Sequence, residues 1–292
     1  MSAKIHRRST AGTRTVTTRR YAFDHESIGS DRHWLDDDLI ASHVIATLSA
    51  VIPPGERFIS EAVRRQRDNL DGPLREQVRG FIGQERLHQR EHDRFNVALA
   101  ALGYPTAFID RMSAVTFRVA ERFPARLQLA MTAAIEHWTA VIAQHTLAED
   151  QLAGWQMSEA SRAFLAWHLV EELEHRAVAF DAMRAAGTSE LERIIGMRVA
   201  VAMLLPSVAG GMLLSLVGDR DMRHPLRVLR SVGRFRRSAM ARRSFLFDLL
   251  SWNRPGFHPD ERNIDVLLEQ WREDLFGTDG LVTANDRSRR AG

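Results

Sequence analysis

One order of residues, repeated along the chain, constrains its fold more than anything else. Glu56 comes first, then Glu85-x-x-His88, then Glu136, then Glu172-x-x-His175, each on its own segment of helical period. On a helix, positions i and i+3 project from the same face one turn apart, so each Glu-x-x-His pair presents a carboxylate and an imidazole together. Glu85 shares its stripe with Val78, Phe81 and Ile82. A carboxylate among such neighbours is costly to bury unless it has partners. The sequence is therefore expected to fold so that these four segments converge.

Four carboxylates balance two dications, and one imidazole per ion completes a carboxylate and histidine set of the kind that ferritin-like di-metal bundles place on facing helices. Ala133, Ala140 and Ala143 lie near Glu136 and let neighbouring helices approach closely. His168 precedes Glu172 by one turn and His92 follows His88 by one turn, so both join the candidate ligands. The candidate metal ligands are thus Glu56, Glu85, His88, His92, Glu136, His168, Glu172 and His175. Read singly, Glu56 could decorate a helix N-terminus, and Glu85 and Glu172 could pair with surface arginines. Glu91, Glu171 and Glu174 point to other faces and read as solvated ion pairs or as groups behind the ligands. His137 reads as a group behind the ligands and His145 as structural.

The chain has no cysteine, which excludes disulfides, thiolate metal sites, iron–sulfur clusters and cysteine nucleophiles. Two metal ions held by His and Glu are expected, iron first, with manganese and zinc as alternatives. Forty basic residues stand against 37 acidic ones, and every basic residue except Lys4 is arginine. The high isoelectric point reflects arginine chemistry, and no nucleic-acid partner is expected.

The fold class expected is all-α: a ferritin-like four-helix di-metal bundle with additional C-terminal helices, one of them apolar. Residues 1–30 read as a disordered basic tail, 31–188 as the bundle, 189–277 as an apolar segment and Arg-rich helices packed on it, and 278–292 as a second disordered tail. Pro53-Pro54-Gly55 is expected to interrupt the first helix, Pro73 to open one that Gly103 closes, and Pro124 to open another. Ser158 is expected to cap a helix running to Gly187. Val199–Val217 carries no charge, and Pro206 with Gly210-Gly211 suggests a bent or re-entrant pair of apolar helices. Nine arginines follow within 218–243. A simple crossing would carry them to the far side, so a monotopic seat on the inner face of the plasma membrane of a cytoplasmic protein is expected, beside the alternatives of a buried cover or a homodimer interface.

The stretches Pro54–Phe58, Arg79–Glu85, His88 with Glu91-His92, Ala134–His137, and Trp167-His168 with Glu171–Val178 resemble a bacterial family of predicted metal-dependent hydrolases, from about Trp34 to Val217. The spacing of His168, Glu172 and His175 is also similar to that of di-iron arylamine N-oxygenases. That likeness implies Glu85 and Glu172 as bridging ligands, Glu56 and Glu136 as terminal ones, and His88, His168 and His175 as nitrogen ligands. The function expected is a di-iron oxidoreductase or oxygenase using O2 on a small hydrophobic substrate. The alternatives are a two-metal hydrolase acting on an ester or phosphoester and a non-catalytic metal-binding protein.

Overall fold

A computed structural model describes residues 15–283, and every regular element among them is helical. The long helices are α1 (Leu39–Arg64), α2 (Gly72–Ala101), α3 (Thr106–Ala120), α4 (Ala125–Ala148), the single turn α5 (Gln151–Gly154) and α6 (Glu159–His175). They are followed by α7 (Val178–Ala185), α8 (Glu190–Val217), α9 (Pro225–Phe235), α10 (Arg243–Leu250) and α11 (Asp265–Phe276). The ferritin-like di-metal bundle consists of α1, α2, α4 and α6. Helix α1 packs along α2 and α4 along α6, while α3 carries the chain across between the pairs. α8 lies along α4, α1 and α3, and α11 lies on α6.

The punctuation of the chain explains most helix ends. Pro73 occupies the first turn of α2, where its missing N–H is not needed, and Gly103 follows that helix at φ +89°. The Ser158 side chain accepts the backbone N–H of Ser161 at 3.1 Å and starts α6. Two large apolar clusters fill the interior on either side of the buried polar residues, one around Phe58, Phe81 and Met131, the other around Phe95, Phe164 and Trp167.

Several boundaries depart from the sequence reading. Pro53 and Pro54 do not interrupt α1. Pro53 cannot donate to the carbonyl four residues back, that of Ser49, and Asn96 Nδ2 of α2 donates to it instead at 3.0 Å. The helix begun at Ser158 stops at His175. Arg176 turns inward to the Leu173 carbonyl at 3.0 Å and to Asp260 and Asp265 at 3.2 Å each, and α7 starts afresh. Pro206 and Gly210-Gly211 do not fold 190–217 into two helices. α8 runs unbroken, and the carbonyl of Ala202 that Pro206 leaves without a donor belongs to an exposed residue.

The two segments read as tails are the clearest correction. Residues 1–14 and 284–292 lie outside the described residues. Residues 15–30 pack on the bundle: Phe23, His25 and Ile28 are buried. A Cβ at Gly80 or Gly83 would overlap Val16 or Thr18, so these glycines let the segment lie directly on α2. Leu281 and Val282 likewise join the core beyond α11.

Candidate metal centre

α1 supplies Glu56, α2 supplies Glu85 and His88, α4 supplies Glu136, and α6 supplies His168, Glu172 and His175. All are buried. They meet in two adjoining groups. Glu56, His88, His168 and Glu172 each bring one ligand atom within 4.8 Å of the others, and so do Glu85, Glu136 and His175. His88 Nδ1 stands 3.7 Å from Glu56 and 3.8 Å from both Glu85 and Glu172. His175 Nδ1 stands 2.8 Å from Glu85 and 3.7 Å from Glu136. Glu85 therefore faces an imidazole of each group. His168 Nε2 lies 3.5 Å from Glu172.

A second layer of polar residues orients these imidazoles. The Gln84 amide donates to the Thr17 carbonyl at 2.9 Å and to Glu174 at 2.8 Å, so its oxygen is left to accept from His175 Nε2 at 2.8 Å. His175 thus carries its proton on Nε2 and turns the Nδ1 lone pair inward. His88 Nε2 meets Glu171 at 3.0 Å and also turns Nδ1 inward. Arg19 spans Glu171 at 3.1 Å and Glu174 at 2.8 Å, and Arg272 of α11 reaches Glu174 at 2.7 Å. Two carboxylates are matched there by two guanidinium groups. Trp167 packs edge-on against His88 at 4.7 Å and Phe81 against His175 at 4.6 Å, walling the centre with aromatic rings.

Burial first, and then the mutual repulsion of the carboxylates, drives the Glu56 and Glu136 carboxyls well above their ordinary range. Burial and the nearby Glu171 do the same to Glu85. Glu172 is pushed up to about 7, chiefly by burial, against the pull of His175. Burial also holds His88 and His168 well below the usual imidazole value, and the neighbouring imidazoles add to it. Such a site repels both its own negative charges and protons on its histidines.

Both oxygens of Glu56 and of Glu85, one each of Glu136 and Glu172, and the Nδ1 atoms of His88 and His175 are buried without a hydrogen-bond partner. Unpaired buried groups of this kind are rare, because each costs about 1–3 kcal/mol. Here they cluster at one place, on the atoms that face one another. The residues fit metal: cations would satisfy the orphaned oxygens and nitrogens at once and relieve the carboxylate repulsion.

A family model described as "Predicted metal-dependent hydrolase" matches residues 17–263. The chain belongs to this family. Neither the curated proteins nor the solved structures yield a match. The family's metal dependence accords with a buried His and Glu cluster able to chelate metal, and the matched span takes in the N-terminal segment with Arg19 as well as all four bundle helices.

Of the sequence-predicted ligands, only His92 stays outside both groups. It is two turns from Glu85 on the same stripe, which fixes its direction but carries it past the centre along the axis. Its Nδ1 is engaged by Ser49 Oγ at 2.9 Å, and its Nε2 lies 3.4 Å from His168 Nδ1, so it backs His168. His137, unlike His92, does not stand behind the ligands. It meets the Leu249 carbonyl at 3.2 Å and packs on Trp252 and Phe257. His145 is structural, 2.8 Å from Asp248. Glu171 and Glu174 are buried behind the histidines, and Glu91 is buried against His25 at 3.1 Å. The sequence reading missed Gln84 and Arg19. Gln84 could have been found, since it adjoins Glu85 within the Arg79–Glu85 motif.

Proposed function

We propose that the centre holds two iron ions and that the protein is a non-haem di-iron oxidoreductase acting with O2 on a small hydrophobic substrate. One observation carries the reading: four carboxylates and three imidazoles converge from four helices, their unpaired atoms facing one another inside aromatic walls. Iron in such a site would supply the electron-transfer steps of O2 reduction, which no side chain here can perform. Glu56 and Glu136 would each help hold an ion in its own group, and Glu85 and Glu172 would be the carboxylates shared between the ions. That division follows the pattern shared with di-iron N-oxygenases and agrees with Glu85 facing both His88 and His175.

The side chains do the rest. Gln84 and Glu171 fix the tautomers of His175 and His88, so ligand lone pairs are presented without rearrangement. Trp167 and Phe81 keep bulk water from the centre. Glu56 (5%), His168 (7%) and Glu172 (4%) are slightly more exposed than Glu85, Glu136 and His175 (0–2%), which favours their side as the approach for substrate.

The family's description favours a second reading, metal-dependent hydrolysis of an ester or phosphoester. Elemental analysis of protein purified from its own host, followed by anaerobic loading with Fe(II) and exposure to O2, separates the two. Two irons per chain with O2 uptake and an oxygen-dependent visible absorption support the oxidoreductase. Zinc or manganese content with anaerobic cleavage of esters overturns it.

A further inference from the structure

Helix α8 is built inside out. Apart from Met197, its buried residues are small or polar: Arg193, Gly196, Ala200, Ser207, Gly211 and Ser215. Gly196 lies so close to Ala130 of α4 that a Cβ would overlap it. Ser207 meets Ser113 of α3 at 3.2 Å, and Ser215 meets His43 of α1 at 2.6 Å. Its outward side carries large apolar residues, with Leu205 57%, Leu213 64% and Val217 75% exposed, while Val199, Met203, Leu204 and Val208 lie half-buried against the core between the two sides. A surface helix in water shows the opposite pattern. Small residues toward the protein and large ones outward are what helices show when their surroundings are lipid. The contrast with α1 is direct, because 67% of the α1 apolar window is buried and only 22% of the α8 window.

The same contacts decide how α8 meets that surrounding. From Gly196 to Ser215 one side lies against the metal-binding bundle, so the helix does not cross a bilayer and offers it one side only. Past Val217 the chain continues into a short turn and α9, whose Ser231 is buried on Asp38 while Leu226 (77%) and Leu229 (66%) face outward. Arg220, Arg223, Arg230, Arg236, Arg237 and Arg243 are exposed, and none has an ion pair among the described residues. Arg227, Arg234 and Arg242 are paired with Asp221, Asp36 and Glu149.

We propose that α8 and α9 seat the protein in the plane of an anionic lipid bilayer, their apolar faces sunk into the interface and the unpaired arginines against headgroup phosphates. Charge selects lipid over a second copy of the chain. A two-fold contact through this face would set the unpaired arginines of both copies against each other, whereas phosphates neutralise them in the fork geometry that guanidinium groups favour. The inference does not depend on which reaction the metal centre performs.

The test is co-sedimentation of the metal-loaded full chain with vesicles of phosphatidylcholine alone and of phosphatidylcholine with phosphatidylglycerol, together with sedimentation velocity of the free protein. Binding to the anionic vesicles at least about tenfold tighter than to neutral ones, and weakened by salt, is the expected result. L205E/L213E loses binding to both vesicles about tenfold or more, and R223E/R230E loses the anionic preference. All four side chains are exposed, so unchanged metal content and Tm verify folding. Failure to bind either vesicle overturns the proposal. So does a dimer in free solution that L205E/L213E converts to monomer with vesicle binding unchanged.

Discussion

Among the described residues, two buried places bring three or more histidines and carboxylates together, and they are opposites. At the end of α8, Asp219 Oδ2 accepts from Arg32 at 2.8 Å, His33 at 3.0 Å and His43 at 2.8 Å. Its other oxygen accepts the Asp221 backbone N–H at 2.8 Å, and His43 Nδ1 is taken by Ser215. By proximity alone this trio is as good a candidate for metal as the bundle centre. Yet every ligand atom in it is already bonded, and one carboxylate is answered by a guanidinium and two imidazoles. Although burial pushes Asp219 upward, hydrogen bonds from His43, Asp221, His33 and Arg32 hold it well below the usual carboxylate range. In the bundle centre the atoms are orphaned and the carboxyls are raised. Nearness of ligand types does not mark a metal site; unsatisfied negative charge does. The Asp219 cluster is a strut that pins α8 and the N-terminal segment to α1.

Breaking each cluster should give opposite phenotypes. Glu85→Ala removes an oxygen that both groups face, so metal affinity falls by roughly a hundredfold or more. The metal-free variant unfolds at the same Tm as metal-free wild type or higher, since repulsion is relieved. Metal titration and calorimetry check both halves, and a large loss of apo stability would mean the glutamate is structural. Asp219→Ala reverses the pattern: metal content is unchanged, and stability falls by roughly 2–4 kcal/mol as two histidines and an arginine lose their acceptor. Denaturant unfolding measures it, and loss of bound metal would place the strut in the centre. Gln84→Leu is milder. Without the amide, His175 is free to carry its proton on Nδ1, and affinity for one ion drops about tenfold.

This contrast also measures what the sequence made legible. The Glu-x-x-His pairs could be read because i and i+3 fix a shared face whatever the fold, and the all-α class followed from periodicity. His168 was found by the same rule. His92 shows where the rule ends, because angle about a helix axis says nothing of depth along it. The N-terminal segment was illegible for another reason. Arg19 becomes ordered through Glu171 and Glu174, about 150 residues away, and through the closeness that Gly80 permits. The uninterrupted α1 likewise depends on Asn96, a donor supplied by another helix.

The carboxyls of the bundle centre and the Asp219 cluster should tilt the pH dependence of the metal-free fold in opposite directions, while His88 and His168, held low by burial, add to the acid limb. Glu56, Glu85, Glu136 and Glu172 have folded values above their unfolded ones, so what they contribute is present in acid and lost as pH rises, through about 7 for Glu172. Burial holds the His43 imidazole low and hydrogen bonds hold Asp219 low, so their contribution is present above their unfolded values and lost as pH falls. Metal-free protein should therefore lose stability on the alkaline side, Glu85→Gln should flatten that limb, and Asp219→Asn should flatten the acid one. Calorimetry across the pH range reads both limbs, and an alkaline limb unmoved by Glu85→Gln would break the assignment.

The smallest effect tests where the metal centre ends. Asn96 donates to the carbonyl that Pro53 leaves free, and its Oδ1 lies 2.7 Å from the same Ser49 hydroxyl that engages His92 behind His168. If the chain from Asn96 through Ser49 and His92 is only a repair of the proline break, Asn96→Ala should cost about 1 kcal/mol, the worth of one buried hydrogen bond, and leave both metal affinities alone. If it steers His168, affinity at the group containing Glu56 should fall several-fold, while the group containing Glu136 keeps its own. The geometry favours repair, because 3.4 Å between His92 and His168 is too long for a strong hydrogen bond. The expected outcome is a stability change alone, and an affinity change confined to one ion would extend the centre outward to the proline of α1.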